Sequence, residues 1–395
     1  MTEPGPERRN RELERFLEPE RLTILRALPV VVAVTVAIAT IVAMVVLRPT
    51  GAERPDLSEI GIPRFVYDAE VTAVESRPCA GTTDVPCVLV SFRLDEGPDA
   101  ESTVAFEGVV SETSPSFSPG DDVVLAYNPD ADPAFQYSYF DRQRRPVLLW
   151  AGILLVVVVI GMARLRGVTA LLGLGASVVV ILLFVVPAII DGREPVAVAI
   201  VGAAAIAYLA LYTAHGFSRM TTVALLGTLA ALALTAVLAA VFIAAARFTG
   251  FTEDVSFILT AASSINIRGL LLAGVVLGSL GAIDDVTVTQ ASTVWELRAA
   301  NPTMSRLRLF RAGMRVGRDH VASTVNTLLL AYAGAAMPLL LFFVLAGQSL
   351  GTSLNSEIVA IEVIRTVVGS IGLVMAVPFT TWLSAWMADD SAAPH

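Results

Sequence analysis

The chain has 395 residues, of which 55% are hydrophobic and 16% are charged, and its mean hydropathy is +0.71. These proportions are typical of a polytopic membrane protein and exclude an ordinary soluble enzyme. The formal net charge of -9 argues against nucleic-acid binding, which needs a basic surface. All 27 basic residues are arginine, a usage that fits a GC-rich bacterial genome.

Residues 1–24 form an Arg-rich segment in front of the first long apolar window, Leu25 to Leu47. A window of about 20 apolar residues is long enough to cross the roughly 30 Å hydrocarbon core of a bilayer. This one is too long for the hydrophobic part of a signal peptide, and no Ala-x-Ala site follows it. Residues 25–47 are therefore predicted to be an uncleaved anchor helix, with the Arg-rich N-terminus in the cytoplasm.

Residues 48–146 are rich in Pro, Asp, Ser and Thr, and they predict a separate β-rich domain outside the cytoplasm. About five short alternating runs divided by turn residues favour a small closed or nearly closed β-barrel. Its role is either that of a cap or assembly surface, or that of a gate or substrate-capturing domain. The strand-like runs are Arg64 to Val74, Cys87 to Leu94, Thr103 to Val110, Val123 to Tyr127 and Phe135 to Phe140.

The two cysteines of the chain, Cys79 and Cys87, both fall in this domain. On the oxidising side of a membrane, a close pair of cysteines favours a disulfide bond. Free thiols or metal binding are the lesser alternatives.

Residues 147–386 predict a seven-helix transmembrane domain, which makes about eight membrane-spanning helices in all. An even number of helices returns residues 387–395 to the cytoplasm. The predicted location is the bacterial cytoplasmic membrane, with both termini inside. The windows are Val147 to Ala163, Val168 to Ile190, Pro195 to Ala214, Thr221 to Ala246, Gly269 to Trp295, Val321 to Ala346 and Ile358 to Trp386.

Two adjacent acidic residues, Asp284 and Asp285, lie near the middle of the Gly269 to Trp295 window. A carboxylate is costly in hydrocarbon, so an intramembrane aspartate predicts a path for an ion, a proton or a polar substrate. The alternative is that donors inside the helix bundle pair with both carboxylates, which then serve structure alone. Thr289 and Gln290 are further polar candidates on the same helix.

A seam of small residues with a carboxylate in it is predicted along one face of this helix, because residues three and four apart share a face. Gly274-x-x-x-Gly278 is also a typical helix-packing motif. Asp284 points away from the seam, so Asp285 is the stronger site candidate. The seam comprises Gly274, Gly278, Gly281, Asp285, Thr289 and Ser292.

The two following helices supply further polar candidates. Asp319 and Asn326 share a face of the next helix, and Asn326 lies at a depth that allows it to meet Asp285. Asp319 alternatively serves as an acidic residue favoured by the helix dipole. On the last helix, Glu362 and Arg365 are one turn apart, which predicts either an ion pair that holds the helices in register or a gate.

Three blocks of the sequence resemble the YibE/F-like family of bacterial multipass membrane proteins. The likeness covers about Gly167 to Trp386 and implies a multipass membrane protein and candidate transporter without naming a substrate. The family's aspartate is expected at Asp285. The blocks read "GLLLAGVVLGSLGAIDDVTVTQASTVWEL", "FRAGMRVGRDHVASTVNTLLLAYAGAAMPLLL" and "IRTVVGSIGLVMAVPFTTW", and "GFSRMTTVALLGTLAALALTAVL" resembles a further helix of the family.

The sequence has no local His or Cys cluster for zinc, no Walker loop and no nucleophile elbow. We therefore predict a secondary transporter, not an enzyme, that uses no cofactor. Hard oxygen ligands favour a proton, a hard divalent ion or a proton-coupled solute as cargo, and they leave the metal undefined. The expected partners are the lipid bilayer, the small ion or solute and either a second copy or another membrane protein. The alternative is a scaffold or sensor whose β-domain binds a partner or a signal.

Overall fold

The computed structural model describes residues 19–51, 62–79, 86–109, 115–251 and 265–388, with the side chains of residues 19–26 and 134 left aside. The predicted cytoplasmic ends, 1–24 and 387–395, lie mostly outside these ranges. The chain is mainly helical and divides into two compact units. One runs from Arg54 to Met162, and the other combines the N-terminal helix with everything after Ala163.

Seven helices of the described chain are long and apolar enough to cross a membrane, which fits a multipass membrane protein. A π-helical turn at Ile181–Val185 interrupts the third of them. In chain order the helices are α1 (Pro19–Val46), α2 (Arg145–Ala163), α3 (Leu165–Ile190), α4 (Pro195–His215), α5 (Arg219–Ala245), α6 (Ile267–Ala300), α7 (Arg306–Ala335), α8 (Met337–Leu345), α9 (Leu350–Asn355) and α10 (Glu357–Met387).

The predicted span from Val321 to Ala346 is not one straight helix. The structure contains α7 and α8 instead, bent by 59° where they meet, so the count is seven spans, or eight if this pair forms one. Pro338 stands in the first turn of α8. Proline lacks the backbone N–H that would continue α7, and its ring clashes with the carbonyl four residues earlier, at Gly334. The hydropathy of the window gives no sign of this break.

Five antiparallel strands form a curled half-barrel in the first unit, in the order β3-β2-β1-β4-β5. Five short strands were predicted and are confirmed, but the described strands do not close into a barrel, since β3 and β5 remain at opposite edges. A register shift between Val71 and Ala73 adds curvature to the central strand. The strands are β1 (Phe65–Pro78), β2 (Pro86–Leu94), β3 (Thr103–Val109), β4 (Asp122–Tyr127) and β5 (Tyr137–Arg142).

Aromatic side chains fill the concave face of the half-barrel. Phe92 stacks on Phe106 with ring centroids 5.7 Å apart, and Phe117 meets Tyr139 edge to face at 5.0 Å. A cleft of about 200 Å³ lies among Val104 and Phe106 of β3 and Tyr137 and Tyr139 of β5. Aromatic packing thus takes the place of the hydrogen bonds that would close a barrel.

A disulfide bond joins Cys79 to Cys87, as the sequence predicted. Cys87 begins the buried part of β2 opposite Arg77 of β1, so the bond fastens the open end of the β1–β2 pair. With the bond present, the cysteines cannot offer thiolate ligands, although Glu107 lies close to both.

Replacing Cys79 and Cys87 by serine is expected to destabilise the half-barrel by about 2.5 kcal/mol, the chain-entropy value for a short loop. Denaturant unfolding of the full chain, followed by hydrogen exchange in β1 and β2, measures this loss. Reductant added to the parent protein should produce the same loss and should expose both thiols to alkylation. Alkylation of the unreduced parent would contradict the disulfide.

The core of the helical unit runs from α3 and α4 through α5 and α6 to α10. α6 lies at its centre and packs against α4, α5, α7 and α10. The neighbouring helices cover one side of α6, which is buried. The other side, which carries Gly274, Gly278, Gly281 and Asp285, is exposed and is called the open side below.

Candidate functional site

Close packing of α5, α6 and α10 sets the rotation of α6. Thr228 of α5 and Thr287 of α6 share a hydrogen bond of 2.6 Å between buried hydroxyl groups. A Cβ atom added at Gly227 would come within 2.1 Å of the Thr380 hydroxyl, and one at Gly372 within 2.0 Å of the Thr235 hydroxyl. The Thr228–Thr287 hydrogen bond holds Thr287 inward and therefore decides which way each neighbouring side chain of α6 points, while the two glycine contacts hold α5 and α10 together.

Asp284 and Asp285 point to different sides of α6. Asp284 is mostly buried, and its Oδ1 atom is fully buried with no hydrogen-bond partner in the described part of the chain. The side chain of Asp285 is 71% exposed and lies on the open side. The sequence ranked Asp285 first because it sits on the small-residue seam, yet Asp284 is the carboxylate that enters the bundle.

His320 of α7 is the ionisable side chain that the structure brings to Asp285. Its Nε2 atom lies 4.0 Å from Oδ2 of Asp285, and this nitrogen is buried without a hydrogen-bond partner among the described residues. His320 was not among the predicted site residues. Its position about four turns into a helix that also carries Asn326 was the available signal.

The other predicted ligands on this side remain apart. Asp319, Asn326 and Thr289 are exposed, and the described residues contain no hydrogen bond from any of them to Asp285. Thr289 follows Asp285 by one turn on the same face of α6. Polar side chains of α6 and α7 therefore lie along the open side of α6, but they do not converge on one point where they could surround an ion.

Gln290 lies inside the bundle instead. It is 3% exposed, and its Nε2 atom donates to the Gly313 carbonyl at 2.9 Å and to the Thr381 hydroxyl at 2.6 Å. These two bonds join α6 to α7 and to α10. Gln290 thus has a structural role that its place beside Thr289 in the sequence does not suggest.

Replacing Gln290 by leucine, which has a similar size, should lower the stability of the bundle by about 1–3 kcal/mol. The loss of both bonds leaves buried partners without their donor. Thermal unfolding in detergent measures the change, with Thr289→Val as the exposed control on the same helix. Equal melting temperatures for the Gln290 variant and the parent would argue against the structural role.

The predicted seam glycines face the open side of α6. A Cβ added at Gly274 would lie 3.8 Å from the Arg365 guanidinium, one at Gly278 would lie 3.1 Å from the Tyr332 hydroxyl, and one at Gly281 would meet nothing within 4 Å. Helix packing by this seam stays a prediction. The glycines in closest contact with other helices of the described chain lie elsewhere, and they include Gly202, Gly227, Gly313, Gly317 and Gly372.

Glu362 and Arg365 form the ion pair that their spacing predicts, with 2.8 Å between Oε1 and Nη1. Both side chains are about one quarter exposed, and the Arg365 Nε atom is buried without a partner in the described chain. Because Arg365 also faces Gly274, the pair lies beside the seam toward the start of α6. The geometry fits a helix-register contact and a gate equally well.

A family match covers the acidic pair and the helical unit except for α1. The model of the YibE/F-like protein family matches residues 151–390, which confirms the resemblance of the sequence motifs. The search of curated proteins and the search of solved structures found no match. Because the family model covers more than half of the 395 residues, the chain belongs to the YibE/F-like protein family.

Proposed function

We propose that this protein is a secondary transporter that moves a proton, a hard divalent cation or a proton-coupled solute across a membrane, and that it is not an enzyme. The observation that carries the proposal is the buried, partnerless Oδ1 atom of the Asp284 carboxylate in a helix bundle whose core is mainly apolar. The acidic pair of α6 is its transport site.

A buried carboxylate without a hydrogen-bond donor has a high free-energy cost, because no solvent or protein dipole compensates its charge. Binding a proton or a cation removes that cost. Asp284 has neither an arginine nor a hydrogen-bond donor as partner in the described chain, so its occupant would be a transient ion. An unpartnered polar group is also a poor stabiliser, which makes a purely structural role a weak explanation.

In this proposal an ion passes from the open side of α6, where Asp285 lies, to Asp284 inside the bundle. Asp285 directly follows Asp284 in the chain, and its Oδ2 atom lies 4.0 Å from the His320 Nε2 atom. An ion arriving along α7 would meet Asp285 and His320 before it reaches Asp284. In this scheme Asp285 captures the ion and Asp284 holds it inside the bundle.

The proposed location is the bacterial cytoplasmic membrane, with both termini in the cytoplasm. The arginines at the C-terminal end of α6 and in the N-terminal part of α7 support this orientation, since short basic loops are retained on the cytoplasmic side. A reporter enzyme that works only in the cytoplasm should be active when it is fused after His395, and one that works only outside the cytoplasm should be inactive there. Activity of the reporter on the outer side would mean that the orientation is reversed or that the number of membrane spans is odd.

Flux measurements on the full chain reconstituted in phospholipid vesicles test the proposal directly. A pH-sensitive dye trapped inside reports proton movement under an imposed potential, and an ion-sensitive dye reports uptake of magnesium, calcium or manganese. We expect flux through the protein above that of empty vesicles for at least one of these cargoes. Absence of flux for all of them would favour the second candidate function.

The second candidate is a membrane scaffold or sensor that binds a partner through its half-barrel. The aromatic cleft between β3 and β5 favours this function, because it presents partly exposed aromatic rings beside two strand edges. Tyr137 donates a hydrogen bond of 2.8 Å to Asp99. Burial and this bond raise the pKa of Tyr137, so it stays a neutral donor at the cleft.

A further inference from the structure

A cavity of about 540 Å³ lies between α1 and the facing parts of α4 and α5. It lies in the C-terminal half of the apolar part of α1 and in the N-terminal half of α4. Six of its fourteen lining residues are alanine, and at these positions the facing helices leave the space between them unfilled. The lining includes Ala39 and Ala43 of α1, Ala203 and Ala204 of α4, and Ala233 and Ala236 of α5.

Contacts on both sides of the cavity prevent α1 from collapsing into it. Toward the start of α1, the Tyr208 hydroxyl donates to the Ala33 carbonyl at 2.6 Å. Beyond the other end of α1, the Asp191 carboxylate accepts hydrogen bonds from the Thr50 hydroxyl at 3.1 Å and from the Gly51 N–H at 3.0 Å. Met44 of α1 also packs against the core on that side. The gap is therefore a built feature between two fixed contacts.

The chemistry of the lining defines what the cavity can hold. Thr40 is its one polar side chain, and the hydroxyl of Thr40 already donates to the Val36 carbonyl at 2.8 Å. No lining side chain therefore offers an unsatisfied polar atom to a ligand. A polar solute would lose its hydration in this cavity without replacement, whereas a hydrocarbon chain would lose nothing.

The opening and the width of the cavity decide whether a helix or a single hydrocarbon chain can enter it. Ile200 and Val237 line the cavity and are 46% and 60% exposed, so it opens onto the apolar surface of the helical unit. A second helix has a diameter of about 10 Å and cannot enter, because α1 already touches α4 and the core on either side of the gap. A single flexible hydrocarbon chain is narrow enough to enter.

We propose that this cavity binds one acyl chain of a membrane phospholipid. The lipid enters sideways between α1 and α5, and its chain fills the space that the alanines leave. Such a chain would complete the packing of α1 against the helical unit. The proposal is independent of the acidic pair, since no lining residue belongs to that site.

Photocrosslinking in vesicles of phosphatidylethanolamine and phosphatidylglycerol tests this site on the full chain. A fraction of the lipid carries a diazirine in the middle of one acyl chain, and mass spectrometry maps the adducts. We expect adducts to concentrate at the cavity lining of α1 and α4, well above those at Ile41 and Val241, which are exposed but outside the cavity. If all exposed apolar positions of the wild-type protein were labelled equally, this result alone would overturn the proposal.

Filling the cavity supplies the matched test. The double variant Ala39→Phe and Ala233→Phe places two rings at the exposed mouth, and it should reduce adducts in the lining about tenfold, since the displaced chain loses the burial of several methylene groups. Ala240→Phe adds the same ring to an exposed position of α5 outside the cavity and should change nothing. Unchanged lining adducts in a folded double variant, checked by its melting temperature, would overturn the proposal.

Discussion

Replacing Asp284 by asparagine is expected to abolish ion or proton flux in reconstituted vesicles. Asparagine keeps the shape of the side chain but can neither take up a proton nor neutralise a cation, so the inner station of the proposed path is lost. Asp285→Asn should reduce flux less, because Asp285 lies on the open side, outside the buried end of the proposed path. Flux is measured for each variant at matched protein level in the vesicles.

The same variant separates a functional from a structural role of Asp284. A partnerless buried carboxylate stabilises nothing, so Asp284→Asn should leave the melting temperature unchanged or raise it. Glu296→Gln, at an exposed position of α6 outside the bundle, is the control and should keep both flux and stability. Wild-type flux in Asp284→Asn would remove the acidic residue from the mechanism and shift the preference to the scaffold function.

Replacing Gly372 by leucine is expected to cause a large loss of stability, about 1–3 kcal/mol or more, as overpacking of a tight interface does. A Cβ at this position would lie 2.0 Å from the Thr235 hydroxyl, 3.3 Å from the Thr235 Cβ atom and 3.4 Å from Ile283. The neighbouring atoms belong to α5 and α6, so α10 must move away from both helices. Thermal unfolding in detergent measures the effect.

Gly281→Leu is the control for this prediction. It adds the same side chain to a transmembrane glycine whose added Cβ would meet nothing within 4 Å. It should change the melting temperature little. Equal losses for the two variants would mean that the open side of α6 is also closely packed in the membrane, for example by a second copy of the chain, as the predicted seam implies.

Local patterns were sufficient for the elements of this fold. Strand alternation predicted five strands, and apolar windows found the seven long helices, because both signals arise from residues close together in the chain. The window from Val321 to Ala346 was wrong as a single helix. Hydropathy averages over the window and cannot register that Pro338 ends the hydrogen-bond ladder of α7.

Barrel closure was not predictable from the same signals. The sequence favoured a closed or nearly closed barrel from the number and length of the strands, whereas β3 and β5 of the described sheet stay apart. Closure depends on tilt and register between strands that are distant in the chain. Here aromatic side chains such as Phe106 and Tyr139 occupy the space between the edges.

The sequence by itself determined that Asp284 and Asp285 lie deep in an apolar helix, that Glu362 and Arg365 are one turn apart, and that Cys79 and Cys87 are close enough to pair. These facts follow from helix geometry and chain connectivity alone. Only the tertiary structure decided that Asp284 faces the bundle. A helical wheel gives the angle between two residues, but the inward direction depends on which helices pack around α6. Here α5 holds Thr287 inward through a hydrogen bond, and α10 packs against α6.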